Sequence, residues 1–72
     1  MTEYQEAMLK VAKVAMADLI GCSEPPDGEP DRYPFNARAW VDKLPAEWRA
    51  DGERVMTYVY HHEEMPAFCI LP

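Results

Sequence analysis

The densest group of side chains capable of chemistry is His61-His62-Glu63-Glu64, with Cys69 a few residues on and Cys22 far upstream. Imidazole, thiolate and carboxylate are the ligand types of zinc and related ions. Their spacing opposes that use. In an extended segment the neighbours His61 and His62 point to opposite faces and cannot share an ion. The pairings that place two ligands on one side of a turn or helix (CxxC, HxxxH, HExxH) do not occur in the chain. A metal site built from His61, His62 and a cysteine is therefore a remote reading. Exposed turn residues are the simpler one, and no cofactor is expected.

Cys–His nucleophilic chemistry has the same ingredients and less support. Cys69 stands between Phe68 and Ile70, the setting of a buried, inert thiol. The carboxylates at Glu63-Glu64 and along 24–31 read as exposed, so nothing shifts them towards acid–base work. Glycines at 21, 28 and 52 are isolated, which leaves no loop to cradle a phosphate. No residue is assigned a catalytic role, and the chain reads as a binding protein and not an enzyme.

Size and charge point the same way. The 72 residues make a single domain, 1–72, and a chain this short buries only about 60% of its unfolded surface. A cleft lined with polar groups would take much of that small core. Seven Lys+Arg against 13 Asp+Glu leave a net charge of −6. That disfavours nucleic acid and anionic membrane as direct partners, since both select cationic side chains. It suits solubility, or a basic protein surface as partner. Glu3 and Glu6 stand where a secretory leader carries basic residues, and the apolar stretch 14–20 is too short to span a bilayer. A cytoplasmic location with reduced thiols is expected.

Several elements could carry these side chains. Residues 2–20 read as an amphipathic helix, opened by a capping box at Thr2 and Gln5 and closed by Gly21. Tyr4, Met8, Val11, Ala15 and Leu19 form its apolar face, which Val14, Met16 and Ile20 widen. Residues 22–34, CSEPPDGEPDRYP, hold four prolines and four acids without periodicity and read as a loop. Two short helices follow between 37 and 50. Asn36 is expected to cap the first, with Phe35 and Trp40 as a hydrophobic staple. Asp51-Gly52 is expected to close the second.

The last third reads as a β-hairpin over 54–62 and 66–71, because Val55-Met56-Thr57-Tyr58-Val59-Tyr60 is rich in β-branched and aromatic residues. The expected fold class is α+β, with the first helix packed across the hairpin. Open strand edges and the broad helix face would then offer routes to a homodimer or to assembly as a small subunit.

The charge falls unevenly: −1 over residues 1–20, −3 over 21–36, zero over 37–54 and −2 over 55–72. Glu24, Asp27, Glu29 and Asp31 of the loop, with Glu63 and Glu64, are the candidate partner-binding residues. If loop and turn are neighbours, they form one acidic patch able to meet a basic groove. Replacing Asp27, Glu29 and Asp31 should then leave the fold intact and slow association. A tiny acidic chain with no catalytic motif, one long helix, short helices and a hairpin resembles the small phage-encoded inhibitors of bacterial defence, in particular the type I anti-CRISPR proteins. The resemblance implies an inhibitor that binds a CRISPR effector subunit and blocks its DNA site.

Overall fold

The computed structural model describes residues 2–67, and the elements among them are three helices joined by loops: α1 (Glu3–Ile20), α2 (Asn36–Asp42) and α3 (Ala46–His62). The α+β expectation is overturned. Residues 54–62 belong to α3 and not to a strand, so the strand edges considered for pairing do not exist among the described residues. The second expected strand falls mostly at 68–71, outside them.

The β reading failed for a definite reason. Val55 and Val59 share a face under a period of two, but they also share one as i,i+4 on a helix. Trp48, Gly52, Val55, Met56 and Val59 continue the helical stripe over three turns, and the last four of these are buried. Gly52 was expected in a turn and sits mid-helix. A Cβ there would run into the Leu44 side chain and lie 3.6 Å from Val41. The missing side chain lets α2 and α3 approach closely, and that approach offsets the poor helix propensity of glycine.

The first helix follows its sequence. Gln5 N–H donates to Thr2 Oγ1 at 3.1 Å, Thr2 N–H donates to Gln5 Oε1 at 2.9 Å, and Gly21 ends the helix at φ 81°. Its buried side is Met8, Val11, Ala12, Val14, Ala15 and Asp18. Leu19 does not join it; at 38% exposure it lies at the rim.

Cross-helix contacts define the topology. Tyr4 meets Trp48 edge-on at 5.6 Å and donates to Asp51 Oδ2 at 2.6 Å, while Tyr60 near the end of α3 donates to Asp18 Oδ2 near the end of α1 at 2.5 Å. The long helices thus run in the same sense. Between them α2 runs back, with Asn36 at Asp18 and Trp40 under the Lys10 ammonium, 4.7 Å from the ring centre. Met8, Val11, Val41, Leu44, Val55, Met56 and Val59 fill the centre. Ala12, Ala15 and Ala37 keep the helices near one another.

Candidate functional site

The chemistry-bearing residues lie at one end of the bundle, where α1 and α3 finish and α2 begins. Asp18 is the hub. It is 3% exposed, and its carboxylate accepts the backbone N–H groups of Asn36 and Ala37, both at 3.1 Å, and the Tyr60 hydroxyl. A helix start leaves N–H groups without intrahelical partners and carries partial positive charge. A carboxylate supplied by another helix satisfies both conditions better than a neutral amide. For that reason Asn36 does not cap α2 as expected. Phe35 holds the cap position without a side-chain bond, and Asn36 is the first helical residue.

Freed from capping, the buried Asn36 braces the loop. Its Oδ1 accepts from Arg32 N–H at 2.7 Å, and its Nδ2 donates to Ser23 Oγ and to Asp31 Oδ1, both at 2.9 Å. Trp40 Nε1 donates to the Glu24 carbonyl at 3.0 Å. In the middle of the loop Glu29 N–H donates to the Pro26 carbonyl, with Gly28 at φ 83°, a turn with Asp27 at its tip. The loop is pinned at both ends and folded on itself in between.

Phenol and carboxyl groups respond to this setting. Burial, reinforced by the bond to Asp18, pushes the Tyr60 phenol well above its usual range. The Tyr58 hydroxyl is raised more simply, by donating to Glu64. Asp31 moves the other way. The Tyr33 N–H and then the Asn36 amide hold its carboxyl below the ordinary value.

Because the folded Tyr60 holds its proton more tightly than the unfolded one, its contribution is complete below about pH 10 and is lost as pH rises beyond. Denaturant melts from pH 9 to 12 should show a steeper loss of stability in the parent protein than in Tyr60→Phe. Parallel losses would remove the Tyr60–Asp18 bond as the cause.

The six candidate acids occupy several settings. Glu24 and Asp27 line a shallow depression with Lys10, Lys13 and Trp40 on the flank of α1 and α2. Asp31 lies at the start of α2, against Tyr33 and Asn36. Glu64 bonds Tyr58. Tyr58 precedes Tyr60 by two residues, which is about 200° round a helix, so Glu64 lies away from Asp31. Glu63 ends α3 in the left-handed region at φ 57°, one turn past Tyr60. Asp31 and Glu63 thus lie on the Tyr60 side of this end of the bundle, and Glu64 on the Tyr58 side.

No known protein family, curated protein or solved structure matches the chain.

Its site is consequently read from its own geometry. His61 and His62 are helical and not extended, so the opposite-faces argument does not apply to them; their rings meet edge-on at 5.1 Å, and His62 also packs on Tyr58. Among the described residues no three His, Cys, Asp or Glu side chains are placed to hold a metal ion. Cys22 is exposed beside Ser23, and Cys69 lies outside the described residues. No helix among them is long and apolar enough to cross a membrane. Phe35 meets Tyr60 edge-on at 6.1 Å in place of the expected staple with Trp40.

Sequence reasoning overlooked Asp18, although a signal was there. It stands at i+7 from Val11 and i+3 from Ala15, a lone acid on the apolar stripe.

Proposed function

We propose that the protein is a non-catalytic, cytoplasmic binding protein that docks its acidic 22–34 loop on a basic surface of a partner. The partner surface is one that otherwise holds nucleic-acid phosphates. The likeness to type I anti-CRISPR inhibitors directs this reading to a CRISPR effector subunit.

One observation carries it: the uneven use of the acids. Asp42, Asp51 and Glu53 are engaged by Arg32, Arg54 and Arg38. Among the described residues, Glu24, Asp27, Glu29, Asp31, Glu63 and Glu64 form no ion pair. Arginines thus engage one acid of α2 and two of α3; Glu3, Glu6 and Glu47 are unpaired among the described residues too, but only the loop gathers four unpaired acids within eight residues, two of them beside Lys10 and Lys13. Held on a braced backbone, these carboxylates meet a basic groove with little ordering cost and speed encounter with it.

The structure alters the choice of test. Asp31 supports Tyr33 and Asn36, so it is unsuitable for a charge-removal variant meant to leave the fold intact. Glu24→Gln, Asp27→Asn and Glu29→Gln together remove three charges without touching a side-chain hydrogen bond among the described residues. The immobilised protein should capture a basic, nucleic-acid-handling protein from bacterial lysate, and salt or added duplex DNA should release it. The triple variant should capture at least about tenfold less, since several screened charge contacts are lost together. Equal capture by parent and variant at every salt concentration would overturn the reading.

A further inference from the structure

The same end of the bundle carries an apolar group that the fold does not use. Ile20 is 76% exposed, Phe35 58% and Tyr33 51%, while alanines, valines, two methionines and Leu44 fill the core. Tyr33 lies against the backbone at Gly21, the residue after Ile20, with its hydroxyl 3.4 Å from where a Cβ would stand. Phe35 leans on Tyr60. Exposing three large apolar side chains at one end of a small domain costs burial it could otherwise use, and apolar surface of this kind marks interaction sites.

The patch is also held in place. Asp31 accepts the Tyr33 N–H at 2.9 Å, Asn36 ties Asp31 and Arg32, and Asp18 fixes the backbone at Asn36 and Ala37. The aromatic residues are thereby presented at low entropic cost, the condition under which they act as anchors. Its rim carries both signs with an acidic excess: Asp31 at the backbone of Tyr33 and Glu63 one turn after Tyr60 form no ion pair among the described residues, whereas the nearby Arg32 and Arg38 are paired with Asp42 and Glu53.

We infer that Ile20, Tyr33 and Phe35 are the anchor of the partner interface, received by a segment of a basic protein that carries apolar side chains between its cations. The inference rests on the reading of the loop as a surface for basic partners and adds a division of labour. Loop carboxylates govern the rate of encounter, and the apolar anchor governs dissociation.

Three labelled peptides serve as probes: an amphipathic Leu/Lys helix, an oligolysine of equal charge and a Leu/Gln helix of equal length. The Leu/Lys peptide should bind at least about tenfold more tightly than either control. Phe35→Ser and Ile20→Ser, both at exposed positions, should together weaken it about tenfold through faster dissociation, with the salt dependence unchanged. The loop charge variant should instead slow association and flatten the salt dependence. Matching far-UV spectra and melting curves establish that the variants are folded.

A Leu/Lys peptide no tighter than oligolysine, or matched by Leu/Gln, overturns the inference. Self-association of the protein that Phe35→Ser abolishes also overturns it, in favour of a second copy as the occupant. Loss of binding in the charge variant but not in Phe35→Ser with Ile20→Ser removes the anchor alone. Loss in neither removes the basic-surface reading as well.

Discussion

Asp18→Ala should lower stability by about 3–5 kcal/mol, the largest effect expected of any single polar substitution in this chain. The carboxylate is buried and serves three donors from two other helices: the N–H groups of Asn36 and Ala37 and the Tyr60 hydroxyl. Alanine leaves all three without an acceptor at a site water scarcely reaches, and each orphaned donor costs roughly 1–3 kcal/mol. It also removes the negative charge from the start of α2. A domain of this length has a total stability of roughly 4–11 kcal/mol, so the variant should be largely unfolded or melt more than about 15 °C lower. Tyr60→Phe deletes one of the three bonds and should cost about 1.5–3 kcal/mol. Thermal and urea denaturation followed by circular dichroism measure both. An Asp18→Ala protein melting within about 5 °C of the parent would show that the three helices are not joined through this carboxylate.

Met8→Asp should abolish the folded state outright. Met8 is 0% exposed, among the side chains that fill the space between the three helices. Every side chain of that core cluster is apolar, so an aspartate there finds no cationic partner within it. Burying an unpaired charge costs several kcal/mol and also leaves a cavity where the thioether lay, against a total of similar size. Lys13→Gln, five residues on and on the exposed face of α1, should change stability by less than about 0.5 kcal/mol. A cooperative unfolding transition in Met8→Asp close to that of the parent would mean that α1 packs through another face.

The consequences for binding differ between these variants and those of the loop. Asp18 and Asn36 hold the backbone on which Asp31, Tyr33 and Phe35 stand, so their loss would disturb any interface indirectly. The side chains of Glu24, Asp27 and Glu29 make no hydrogen bond or ion pair among the described residues, so their replacement leaves that backbone in place. A comparison of the two classes separates the presentation of the surface from the surface itself.

Some features of this protein are determined by local rules, and for these the sequence was sufficient. The capping box at Thr2 and Gln5, the glycine after Ile20 and the spacing of Met8, Val11 and Ala15 define α1 through contacts within a few residues of one another. The prolines and acids of 22–34 exclude a helix there for equally local reasons, and net charge is a matter of composition. Tertiary structure decided the rest. The stretch 55–60 satisfies a strand and a helix alike, and the choice depended on Gly52 meeting Leu44 and Val41, residues of another element. Asn36 is a good helix cap in isolation, but Asp18, eighteen residues earlier, displaced it by offering a charged acceptor. Tyr58 and Tyr60 would have shared a strand face; as helical residues they turn to opposite sides, and that separation divides Glu64 from Asp31. A choice between two locally permissible conformations is made by what each one buries, and burial is a property of the whole chain.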